Sequence, residues 1–156
     1  MYSQKFLDRF LSPRNIGLIK GAGAVGSAVG KNAEQVKLYL KVENEVVIDA
    51  KFKVFGSPEI IVLFDCFLDD IKNVQLENLT VQLAERGVNN FSEIDTNSKI
   101  EFCLLAKDLI ESSIKDYRKK QLRLQKLKEQ NELNKIIETE NVENVIVTSE
   151  WLDCWK

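Results

Sequence analysis

The chain contains no histidine. Imidazole acid–base catalysis, histidine-based triads and histidine metal ligation are therefore excluded. Cysteine is scarce: Cys66, Cys103 and Cys154 are odd in number and widely spaced. That pattern makes neither a disulfide framework nor a CxxC metal knuckle. The longest apolar run, Ile60–Phe64, is far too short to cross a bilayer, so no membrane partner is expected. Neither charge sign dominates, with 22 Lys+Arg against 24 Asp+Glu and a net charge of −2. A nucleic-acid partner is not expected from such a balance.

What remains is a chain of 156 residues, 44% hydrophobic and 29% charged. That is enough apolar material for one cored domain, with or without an appendage. The opening MYSQKFLDRF is charged and amphipathic, unlike a signal peptide, and a cytoplasmic location is the expectation.

Phe6, Leu7, Phe10 and Leu11 recur at helical spacing, and Pro13 closes that helix. Gly21–Gly30 is rich in small residues and reads as a loop or a close-packed strand. Val36–Val42 alternates, with Val36, Leu38, Leu40 and Val42 on one face. Val46–Phe55 alternates likewise, with Ile48, Ala50, Phe52 and Val54 inward. The link Glu43-Asn44-Glu45 makes the pair an antiparallel hairpin with one wet, lysine-bearing face.

Ser57 as cap and Pro58 at the first helical position open a helix to about Asp70. A shorter helix is expected over Gln75–Arg86, stopped by Gly87. A long helix starts near Lys99 or Ile100, with a stripe through Leu105, Leu109 or Ile110, Ile114, Tyr117, Leu124 and Leu127. Residues 115–128 hold seven Lys/Arg and one acid, whereas residues 129–156 hold seven acids and two lysines. Few aromatics interleave with the basic run, which reads as a solvated helix face. Val142–Thr148 has strand composition and is expected to pair with an edge of the sheet, a partner chain or a second copy, with Trp151 and Trp155 as its apolar anchor.

Gly21–Gly26 spells GxGxxG, with Glu43 at the right distance to meet a ribose. A dinucleotide-binding enzyme is the remote alternative. Gly30 interrupts the helix that should follow, and the next strand is joined by a hairpin link.

A series of short elements carries a resemblance. Tyr2-Ser3, Lys5 and Asp8 precede Pro13-Arg14-Asn15 and Gly17. Val25-Gly26-Ser27, Val36-Lys37-Leu38 and Ala50-x-Phe52-Lys53-x-Phe55-Gly56 follow, then Leu105-Ala106-x-Asp108-x-Ile110 and Ile114-x-Asp116-Tyr117. Their order resembles the NifU/IscU family of iron–sulfur cluster scaffolds over residues 1–120, leaving 121–156 as a C-terminal extension, a helix and then a short strand. The resemblance implies an α+β fold: an antiparallel sheet of about three strands with helices on one face. It implies a protein without catalytic residues, and a cysteine desulfurase or another assembly factor as partner.

The family's chemistry rests on three cysteines and an aspartate, because thiolates are soft donors suited to iron. By the resemblance, Asn32 and Glu34 stand in the first cysteine–aspartate element, Ser57 at the second cysteine and Phe102 at the third. Glu101 takes the place of the histidine before that third cysteine. Cys103 comes one residue late, about 100° further round a helix. Of the family's chaperone-recognition segment only Lys99 is kept. The expectation is a binding or regulatory module with no cofactor and no cluster of its own. The alternative is a working scaffold that uses Cys103 and Glu34 with a partner's ligand.

Overall fold

The computed structural model describes the backbone of residues 1–154 and the side chains of residues 1–141. Two compact units divide the chain, Met1–Arg118 and Lys119–Lys156.

Within the first unit, helix α1 (Gln4–Leu11) is capped by the Ser3 hydroxyl, which accepts from the Phe6 N–H. Strands β1 (Ala24–Val29), β2 (Gln35–Glu43) and β3 (Val46–Phe55) form an antiparallel sheet in the order β1-β2-β3. Helix α2 (Pro58–Ile71), a 3-10 turn (Leu76–Asn78) and helix α3 (Val81–Val88) follow, then helix α4 (Thr96–Cys154). The architecture is the expected α+β arrangement. Val36, Leu38, Leu40, Ala50 and Phe52 bury one sheet face against Phe64, Phe67 and Leu68 of α2 and Phe102, Leu105 and Leu109 of α4. Lys37, Lys41 and Lys53 stay exposed opposite.

Small residues in β1 have a packing cause. A methyl on Gly26 would collide with Ser113 Oγ and lie 2.7 Å from the Leu109 carbonyl oxygen, both on α4. Only glycine lets strand and helix approach this closely. GxGxxG therefore spans a turn, with Gly21 at φ +68, and the start of an antiparallel strand. No helix N-terminus follows it to receive a pyrophosphate, and the dinucleotide reading is set aside.

Three sequence expectations need correction. Ile48 does not share the face of Ala50: Lys41 pairs with Asp49 but Val42 with Val47, so Ile48 is the extra residue of a β-bulge and Val47 is buried instead. The helix expected over Gln75–Arg86 splits into the 3-10 turn and α3, and Gly87 lies inside α3 rather than beyond it. Val142–Thr148 is helical, not a strand, because α4 runs through it. Extending an existing helix needs no new nucleus, whereas a strand needs a partner. Leu124 and Leu127, expected on the apolar stripe, are 50% and 59% exposed.

A buried charge cluster ties α1 to α2. The Asp65 carboxylate is fully buried and accepts from Arg9 Nε and from the backbone N–H groups of Arg14 (3.0 Å) and Asn15 (2.8 Å). Asn15, itself buried, donates its side-chain amide to the Asp65 carbonyl (2.8 Å) and to Asp69 (3.0 Å), and accepts from Lys72 (2.6 Å). The Pro13-Arg14-Asn15 element thus has a packing role: it closes the shell of a buried carboxylate.

Candidate functional site

One end of the sheet gathers most of the positions singled out by the resemblance. Val29 pairs with Gln35, so residues 30–34 form the β1–β2 turn, with Ala33 at φ +64. The Gly30 N–H donates to the Glu34 carbonyl at 2.8 Å. Gln35 also pairs with Phe55, which brings Gly56 beside Glu34: a methyl on Gly56 would lie 3.4 Å from Glu34 Cγ. Ser57 comes next, and its hydroxyl accepts from the Ile60 N–H at 3.4 Å as the cap of α2. Glu101, on α4, completes the group.

Glu34 is only 6% exposed, and its carboxylate faces that of Glu101 across Gly30. A methyl on Gly30 would strike Glu34 Oε2 and lie 3.2 Å from Glu101 Oε1. Asn32 bridges the two acids. Its backbone N–H donates to Glu34 Oε2 at 3.0 Å and its side-chain amide to Glu101 Oε2 at 3.3 Å. Glu101 Oε1 is shielded from water and meets no donor among the described residues. Two carboxylates this close favour one proton between them, and Glu101 Oε1 is where that proton belongs. Burial, then the hydrogen bond and charge of Glu34, raise the Glu101 carboxyl above its ordinary value. Burial opposes the charge of Glu34 too, but its backbone, Glu101 and Asn32 donors outweigh it and hold that carboxyl low.

The sign of the pH dependence follows. Glu101 keeps a proton in the folded state that the unfolded chain releases, so it withdraws stability as pH rises above the ordinary glutamate value of 4.5. Glu34 acts below that value, where stability is lost as pH falls. Glu101→Gln is expected to reduce the upper decline, to which Asp70, also raised by burial and by Asp69, contributes as well, and to leave the lower one. Urea midpoints measured across that range check this, and an unchanged upper slope would refute the shared proton.

Phe102 is 1% exposed and points into the core. Its ring meets Phe64 edge-on at 4.7 Å between centroids and Phe67 at 6.0 Å. Cys103 is half-buried on another side of α4, in a groove of about 400 Å³ with Val81, Glu85 and Val88 of α3 and with Lys99. Burial and Glu85 push its thiol up, so it stays protonated. It lies two positions beyond Glu101, about 200° around the helix. The structure therefore places Cys103 in the α3–α4 groove and Glu34 at the β1–β2 turn, without bringing the two together. Among the described residues no group of three or more Cys, Asp or Glu could hold a metal ion. Trp151 lies on α4, with a side chain outside the described residues, and Trp155 lies outside them altogether.

Sequence alone does not join Glu101 to Glu34, which stands far from it in the chain. Its place in the Lys99-Ile100-Glu101-Phe102 element was the available signal. Beside the acids opens a cleft of about 550 Å³ lined by Lys31, Asn32, Glu101, Leu105, Lys107 and Asp108. It offers hard oxygen donors and cations rather than thiolates.

Comparison with known proteins gives this geometry a context. The NifU-like N terminal domain family model matches residues 1–124. Nitrogen fixation protein NifU of Azotobacter chroococcum mcd 1 is 26% identical over 125 residues, 78% of this chain but only 40% of that protein. The iron-sulfur cluster assembly scaffold protein IscU of Aquifex aeolicus is 31% identical over 129 residues, 80% of each chain. A NifU-like N-terminal protein of Brucella abortus shares the fold, with a TM-score of 0.58 at 16% identity, covering 76% of this chain and 94% of that one. These relatives correct the expectation that the chain has no cofactor. They are named for iron–sulfur cluster assembly and its scaffolds. No helix among the described residues is long and apolar enough to cross a membrane. The matched residues and the antiparallel sheet with its helices agree: this chain belongs to the family of NifU-like N-terminal domains.

Proposed function

We propose that this chain is a non-catalytic protein of iron–sulfur cluster assembly that handles its cargo jointly with a partner. Residues 1–120 are the cargo-handling domain and 121–156 an extension. Glu34 and Glu101 supply oxygen donors at the end of the sheet, and the partner, a cysteine desulfurase or another assembly factor, supplies sulfur ligands. The carrying observation is the shielded Glu34–Glu101 pair bridged by Asn32. Iron would displace the shared proton, and carboxylates bind hard cations well. They do not by themselves match the thiolate set of a cluster. Supply of sulfur by the partner reconciles this donor set with the cluster-assembly relatives.

The test is anaerobic reconstitution with ferrous iron, cysteine, a cysteine desulfurase and an excess of a dithiol reductant, which reduces the persulfide sulfur to sulfide. Sulfide-to-iron charge-transfer bands are expected on the complex, with iron retention at least about tenfold lower in Glu34→Gln, a loss on the scale of a ligand or its partner. Equal retention in wild type and Glu34→Gln would sink the assignment.

A further inference from the structure

We propose that residues 115–140 of α4 pair antiparallel with the same segment of a second copy of this chain. Every residue from 121 to 141 is exposed. Leu122, Leu133, Ile136 and Ile137 are 45–56% exposed there. An exposed helix draws little tertiary stabilisation within its own chain, and most helical stability comes from packing an apolar face.

Steps of three, four and seven residues place Lys115, Leu122, Lys126, Glu129, Leu133 and Glu140 on one line of the helix surface. Along that line the sign reverses between Lys126 and Glu129, at the junction of the basic and acidic runs. A second copy laid antiparallel can place Leu122 across from Leu133. The same register sets Lys126 opposite Glu129 and Lys115 opposite Glu140. Because the pairing is isologous, each contact occurs twice. The parallel in-register alternative sets Lys126 on Lys126 and Glu129 on Glu129, which like-charge repulsion disfavours. Charge complementarity therefore selects both the occupant, another copy, and its direction. The inference is independent of how the first unit handles iron.

Sedimentation of the full chain reads the outcome. A dimer is expected at about 0.05 M salt and a weaker one at about 0.5 M, because the facing charges are screened. Glu129→Lys should weaken dimerisation at least about tenfold, and the swap Lys126→Glu with Glu129→Lys should restore it to within about threefold. Direction is read by disulfide trapping in chains whose three native cysteines are replaced by serine. Leu122→Cys and Leu133→Cys chains should cross-link when mixed and not separately. A monomer at about 100 μM, a dimer indifferent to Glu129→Lys, a swap that fails to restore, or cross-linking of Leu122→Cys with itself would each overturn the proposal.

Discussion

Arg9→Ala is expected to cost about 3 to 5 kcal/mol of folding stability, the usual result of removing one partner from a buried ion pair. The Asp65 side chain is fully buried, whereas that of Arg9 is 14% exposed. Arg9 engages Asp65 through Nε, reaches the Asp65 carbonyl through Nη2 at 3.0 Å, and pairs with Asp69. Loss of the guanidinium leaves a carboxylate in the interior with, among the described residues, only the Arg14 and Asn15 N–H groups to hold it. Lysine should not rescue, since one ammonium cannot reproduce the fork that meets two acids and a carbonyl. Urea unfolding measures the effect. A loss under about 1 kcal/mol, the range of exposed pairs, would mean that water screens the cluster.

Phe102→Ala is the second large effect, expected at about 3 to 5 kcal/mol from lost burial and the cavity left behind. The ring is almost wholly enclosed and touches the rings of Phe64 and Phe67 edge-on. Phe102→Leu keeps most of the volume and should cost about 1.5 kcal/mol or less. Denaturant midpoints distinguish the two. Equal, small losses would show that the position is not a core position, and Phe102 would then be a contact for a partner rather than part of the hydrophobic core.

Much of the sheet was legible because two-residue alternation is a local property. Val36, Leu38 and Leu40 announce a buried face by their spacing, and Ser57-Pro58 announces a helix start by its chemistry. The bulge was not legible. It depends on how Lys41 and Val42 meet Asp49 and Val47 across the hairpin, and alternation within one strand cannot report an extra residue. Val142–Thr148 failed for a related reason: its composition suits a strand, but the helix already formed before it continues through.

The site divides the same way. Resemblance placed Asn32, Glu34, Ser57 and Phe102, and the structure puts the first three at one end of the sheet and Phe102 in the core. Glu34 and Glu101 are 67 residues apart in the chain, and their opposition exists only once α4 packs against the β1–β2 turn. Asp65 and Arg9 are likewise ordinary charges in sequence, separated by 56 residues. What the sequence determined by itself was the set of local preferences: strand faces, helix starts, an absence of imidazole, and a charge reversal along the last helix. What only the tertiary structure decided was which charges lose water and whom they meet. Burial turns Asp65 into a core ion pair, and packing sets the carboxylates of Glu34 and Glu101 face to face, with that of Glu101 raised and that of Glu34 held low. Desolvation and proximity are properties of the packed chain, not of any segment in it.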